Sequence, residues 1–165
     1  MDPLQHCFPP VVRPDTRLLI LGSLPGAASL NAGRYYAHPR NQFWRLVEAV
    51  IDEPLDQLGY EARLERLLAC GIGLWDTVAS ARRRGSLDAD IRLHAASDLM
   101  SLAVTLPELV AIAFNGGTAA RIGRRQLGPV PAWQVADLPS SSPAFTLPFA
   151  AKAEAWRQLR TYLPR

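Results

Sequence analysis

Four short apolar runs, each closed by small or polar residues, alternate with stretches of helical spacing, and this alternation limits what the chain can fold into. Arg17–Leu21, Ile72–Trp75, Leu109–Phe114 and Trp133–Ala136 have the length and bounding turns of buried strands. Asn41–Ile51, Tyr60–Cys70, Ser97–Thr105, Thr118–Leu127 and Ala150–Tyr162 read as helices. Asn41 is placed to cap the first of these, and Gly71 stops the second. Strands alternating with helices predict the α/β class: a three-layer α/β/α arrangement around a central four-stranded, mainly parallel sheet.

The richest stretch is Leu18–Trp44. Its strand ends in Gly22-Ser23-Leu24-Pro25-Gly26, a polar and aromatic loop follows, and Asn41-Gln42-Phe43-Trp44 opens a helix. The loop brings Tyr35, Tyr36, His38, Arg40 and Asn41 together with no acidic residue. That chemistry suits an electron-rich, planar, anion-bearing ligand better than a cation.

In open α/β sheets, ligands bind beyond the carboxyl ends of the strands. Ser23, Asp76, Asn115 and the Ser140-Ser141-Ser142 run each follow a different strand, so all four are expected in one cleft. Simpler readings stand beside this one. Gly22–Gly26 is a tight turn on turn chemistry alone. Asn41 and Asp76 are good helix caps, Asn115 before two glycines is a good turn, and a lone His38 is more often structural than catalytic. Gly22–Gly26 lacks the Gly-Lys-Ser/Thr of a phosphate-binding loop and does not match G-x-S-x-G, so a serine hydrolase built on Ser23 is disfavoured.

Composition narrows the classes further. A chain of 165 residues is most simply one domain, 1–165, with residues 1–16 a proline-rich surface arm. No apolar stretch reaches the roughly 18 residues of a membrane helix, and the N-terminus has no signal-peptide pattern, so cytoplasm is the default. Cys7 and Cys70 are isolated thiols without metal or iron–sulfur spacing; no metal or cofactor is expected. The net charge is +3 and the pI about 9.2. Lys152 is the only lysine, so the positive charge is arginine, which suits bidentate phosphate contacts. Arg82 and Arg83, in an arginine-rich loop over 77–91, would add phosphate contacts if they face the cleft. Prolines Pro139 and Pro143 flank the serines, whose hydroxyls and backbone N–H groups suit a phosphodiester clasp. Phe145 just beyond is a candidate wedge between base steps.

In combination and order, Gly22–Gly26, His38-Pro39-Arg40-Asn41-Gln42-Phe43-Trp44, Gly71–Val78, Phe114-Asn115-Gly116 and Leu138–Pro143 resemble the motifs of the uracil-DNA glycosylase superfamily. The resemblance runs from residue 17 to about 163. The asparagine or aspartate that other branches carry in the first motif is absent, the second motif begins with Leu138 rather than histidine, and Asp76 stands where the uracil-excising branch has a pyrimidine-reading asparagine. This combination is most similar to the hypoxanthine-DNA glycosylase branch, related to the mismatch-specific enzymes.

The resemblance implies a monofunctional, monomeric glycosylase that flips a deaminated base out of damaged DNA and hydrolyses its N-glycosidic bond. It implies that Asn41 is catalytic, orienting water through its amide oxygen, with Ser23 positioning and His38 assisting the leaving group. Gly22, Leu24, Pro25 and Gly26 would shape the base pocket; Tyr36 and Phe43 would stack on the base; Arg40 would contact DNA. Asp76 accepts from a ring N–H, but its second oxygen opposes the neighbouring carbonyl unless Asn115 or a main-chain N–H supplies a donor. Excision of uracil or a mismatched base, and a catalytically inactive DNA-binding protein, are the alternatives.

Overall fold

The computed structural model describes residues 2–164, without the side chain of His94. Leu4–His6 forms a short strand, β1, and Leu18–Gly22 forms β2. Three helices follow: α1 at Ala27–Ala32, α2 at Phe43–Ile51 and α3 at Tyr60–Ala69. Then come β3 at Ile72–Asp76, β4 at Val78–Arg82, a 3-10 turn at Asp88–Asp90 and β5 at Arg92–Ala96. The rest is α4 at Leu99–Ala103, β6 at Ala111–Asn115, α5 at Gly117–Leu127, β7 at Gln134–Leu138 and α6 at Phe149–Arg157, which tightens into a 3-10 turn at Gln158–Tyr162.

The four expected strands, β2, β3, β6 and β7, form one sheet in the order β3-β2-β6-β7, and every pairing is parallel. Alternation along the strands sends side chains to two cores. Leu18, Ile20, Ile72, Leu74, Ala111 and Ala113 pack with Phe43, Trp44, Val47, Leu67 and Trp156 of the helices on one face. Leu19, Leu21, Ile112 and Phe114 pack with Leu99, Ala103, Ala119 and Leu127 on the other. Burying each large aliphatic side chain contributes about 1.5–3 kcal/mol, so these two faces hold the layers together.

Two sequence expectations are corrected and one is refined. The stretch 77–91 is not one loop: β4 and β5 are strands of a second, antiparallel sheet in the order β1-β4-β5. The small residues of Val78-Ala79-Ser80-Ala81 lack the β-branched bulk that marks a strand in sequence. The proline-rich arm lies at the surface, as expected, and is tied to the sheets. β1 pairs with β4, Val11 bridges to Leu74, and the Trp75 indole donates to the Phe8 carbonyl. The polar loop after β2 contains α1, started at Gly26 and ended by Gly33 in the left-handed conformation. Cys7 and Cys70 are free thiols, both partly buried.

Helix α5 lies so close to the sheet that an added methyl at Gly123 would meet the Phe114 ring, with Cε1 only 2.1 Å away. Glycine to alanine inside a helix ordinarily stabilises by about 1 kcal/mol. Here Gly123→Ala is expected to destabilise by about 1–3 kcal/mol through overpacking, measured by denaturant unfolding.

Candidate active site

The carboxyl ends of the parallel strands open into a cleft of about 800 Å³. Ser23, Asp76, Asn115 and Ser140–Ser142 all line it, as the strand-end rule requires. Gly22, Leu24, Pro25, Gly26, Tyr36, His38, Arg40, Asn41, Pro143 and Phe145 line it too. The structure also brings in Ser86, Leu87, Asp88 and Ala89, from the segment between β4 and β5.

Tyr36 faces the cleft from a backbone φ of 52°, a left-handed conformation that costs a bulky residue about 1–2 kcal/mol. Its ring stacks on Phe43 at 3.8 Å and 13°, and its carbonyl accepts from the Trp44 indole. Phe43 is fully buried and does not reach the cleft, so only Tyr36 can meet a planar ligand; Phe43 backs it.

Asn41 sits one residue before the cap position of α2, which Gln42 occupies. Its Oδ1 accepts from the Phe43 N–H at 2.9 Å. Asn41 is therefore not the cap expected from sequence, but this bond and the cleft position are compatible: one lone pair of Oδ1 fixes the rotamer and the other is left for a ligand. His38 is exposed on the cleft lip, its Nδ1 accepting from the Arg40 N–H. Arg40 is exposed beside it.

Asn115 is fully engaged. Its Oδ1 accepts from the Ser141 N–H at 2.9 Å, and its Nδ2 donates to Ser141 Oγ at 2.9 Å and to Tyr36 Oη at 3.4 Å. It clamps the serine loop to the sheet rather than offering a free donor. The loop also braces itself: the N–H groups of Ser142, Ala144 and Phe145 go to Ser140 Oγ, Ser142 Oγ and Ser142 O. The expected clasp through backbone N–H groups is therefore narrowed: those of Ser141, Ser142, Ala144 and Phe145 are engaged, which leaves the Ser140 N–H, without a partner among the described residues, and the hydroxyl hydrogens of Ser140 and Ser142 to offer a phosphate. Pro139 stays behind the cleft, its carbonyl held by the Trp156 indole. Lys152, 1% exposed, ties the loop to the Asn41 segment by donating to Gln42 Oε1 and Ser142 O, and it lies 5.4 Å from the centre of the half-exposed Phe145 ring.

Two carboxyl groups share the cleft. Asp88 accepts from Ser23 Oγ at 2.5 Å, and among the described residues no histidine hydrogen-bonds Ser23, which speaks against a serine-hydrolase triad. Burial raises the Asp88 pKa, with the Ser23 hydroxyl and Arg83 opposing. Asp76 is 3% exposed and its Oδ2 has no hydrogen-bond partner among the described residues. Burial, reinforced by Asp88, pushes its pKa up to about 7, while Arg83 opposes. Gly22 makes room for it: a Cβ there would lie 2.7 Å from Asp76 Oδ1. Nothing in the sequence places Asp88 at Ser23; only the fold of the β4–β5 connection does.

Of the three arginines expected at DNA, Arg40 lines the cleft and Arg82 and Arg83 do not. Arg83 is 2% exposed and donates to the carbonyls of Pro25 and Ser86, under the first motif. Arg82 lies in β4 and donates to the Asp2 carbonyl.

Comparison with known proteins gives the family and the same fold. The family model described as the uracil DNA glycosylase superfamily matches residues 9–160. A hypoxanthine DNA glycosylase of Methanosarcina barkeri is 42% identical over 109 residues, covering 66% of this chain and 69% of that protein. One from Methanosarcina acetivorans is 40% identical over 116 residues, covering 70% and 73%. A solution NMR structure from Methanosarcina acetivorans, described as a candidate uracil DNA glycosylase, superposes with a TM-score of 0.84 at 35% identity, over 97% of this chain and 99% of the other.

Removing the Asn115 side chain strands the buried Ser141 N–H. Asn115→Ala is expected to cost about 1–3 kcal/mol in denaturant unfolding and to loosen the serine loop, which amide exchange at Ser141 and Ser142 would register.

Proposed function

This chain belongs to the uracil-DNA glycosylase superfamily and is a DNA glycosylase; from that premise we propose that it removes hypoxanthine from deoxyinosine in DNA. The reading is supported by the convergence of Asn41, Tyr36 and Asp76 on one cleft whose rim carries Arg40 and the serine loop. That rim suits a DNA backbone and the interior suits an extruded planar base. The two hypoxanthine DNA glycosylases similar to this chain support the same substrate.

In the proposed reaction the damaged nucleotide leaves the stack and its base slides over the Tyr36 ring. Phe145, half-exposed on the rim, fills the gap in the duplex. The hydroxyls of Ser140 and Ser142, with Arg40, hold the flanking phosphates. Asn41 Oδ1, through the lone pair not used by Phe43, accepts from a water and aims its oxygen at C1′. The glycosidic C–N bond breaks, the sugar gains positive character, water adds to C1′, and hypoxanthine departs with a proton from that water. Positioning and electrostatics supply the acceleration, since an amide is no strong base. His38 on the lip, its Nδ1 accepting from the Arg40 N–H, presents its Nε2–H side to the departing base. The enzyme works as a monomer on damaged DNA.

The test is strand nicking by alkali after incubation with duplexes carrying hypoxanthine, uracil, xanthine or thymine opposite each normal base. Hypoxanthine excision is expected, reduced about 100-fold or more in Asn41→Ala. Asn41→Asp, which preserves both acceptor roles of the side chain, is expected to retain most of it. Since losing the hydrogen bond to the Phe43 N–H costs about 1 kcal/mol, unfolding curves separate the structural part of the alanine effect. Cleavage of uracil alone would retain the family and overturn the substrate; binding without any cleavage would make this an inactive DNA-binding protein.

A further inference from the structure

Hypoxanthine presents an N–H beside a carbonyl, and an ionised carboxylate answers only the first. A donor is needed for the carbonyl; the Tyr36 hydroxyl, which accepts from Asn115, makes no hydrogen bond to Asp76, and the other side-chain donors around it are turned elsewhere. Ser23 donates its hydroxyl hydrogen to Asp88, and Asn115 spends its amide on Ser141 and Tyr36. Arg83 is committed to the Pro25 and Ser86 carbonyls, and its unpartnered Nε is buried away from the cleft surface. Yet Asp76 itself is buried with Oδ2 unpartnered, at the floor of the cleft.

We propose that Asp76 reads the flipped base as a neutral carboxylic acid, its C=O accepting from the ring N–H and its O–H donating to the adjacent carbonyl oxygen. This deepens the hypoxanthine assignment and rests on it. It also replaces the expectation that Asp76 opposes the base carbonyl: a carboxylic acid offers one acceptor and one donor side by side, as a carboxamide does.

The charges around Asp76 favour the neutral acid. Asp88, from the β4–β5 connection, lies close enough to raise its pKa, and Arg83 of the same segment opposes. Tyr35 and Tyr36 from the loop and Cys7 from the arm are themselves shifted upward, by burial first and by Asp76 second, so they stay uncharged near neutrality. Ser23 just after β2 and Asn115 from β6 carry no charge. Ionisation of Asp76 would place a second negative charge beside Asp88 and leave two carboxylate oxygens facing a carbonyl.

The sign follows directly. The base is read below the Asp76 pKa and lost above it. Single-turnover excision of hypoxanthine from pH 5.5 to pH 9 would be measured for the wild type and Asp76→Asn, whose amide keeps the donor–acceptor pair at every pH. Titration of the base itself is common to both proteins and cancels in the ratio. The ratio of wild-type to Asp76→Asn rates is expected to fall about tenfold per pH unit above the midpoint, as for loss of one essential proton. In parallel, the Asp76 carboxyl carbon of the wild type would be followed by NMR, with an expected midpoint of about 7. That midpoint with a falling ratio supports the proposal. A midpoint in the ordinary carboxylate range, or a flat ratio, overturns it while the excision reading stands. A neutral midpoint with no hypoxanthine excision by either protein at any pH overturns the substrate reading and, with it, this contact.

Discussion

A parallel sheet delivers the carboxyl end of every strand to the same edge, and here the strands are nearly in step. Gly22 pairs with Asp76, Leu21 with Phe114 and Asn115 with Leu138. The first turn after β2, the buried carboxyl group of β3, the clamp of β6 and the serine loop after β7 therefore meet without any long connection. A shift of one residue in any strand would exchange its two core faces as well as its contribution to the cleft. The packing that stabilises the layers is thus the same constraint that assembles the site.

That constraint explains what could be read in advance. Strand ends are visible in sequence because an apolar run stops at a polar or small residue, so Ser23, Asp76, Asn115 and Ser140–Ser142 were identifiable as neighbours before any coordinates. Contacts made by connections were not. Arg82 and Arg83 look like surface charges in sequence, but the antiparallel sheet formed by β1, β4 and β5 turns both into internal donors for backbone carbonyls. Asp88 reaches Ser23 across 65 positions through that same connection, and no local pattern encodes it. Phe43 was correctly apolar but misplaced by one layer. A ring at the start of a helix can face either ligand or core, and here the left-handed Tyr36 takes the outer position.

The site also shows how cost is distributed. The positive-φ tyrosine, the unpartnered Asp76 oxygen and the buried Lys152 ammonium are each unfavourable locally. All three lie at or beside the cleft, while the two apolar cores on either side of the sheet carry the compensating stabilisation. For Asp76, a folded-state pKa raised from 3.8 to about 7 means the native state binds a proton that the unfolded chain has released. Its contribution is complete below the unfolded value and is lost as the pH rises through that window.

Lys152 carries a last consequence. After the base has gone, the deoxyribose can open to an aldehyde, which an accessible lysine amine would capture as a Schiff base. This chain has one lysine, and its ammonium is enclosed between Gln42, Ser142 and Phe145. With its ε-amine enclosed in this way, Lys152 is not free to condense with the sugar, which supports the proposed reaction ending at base removal.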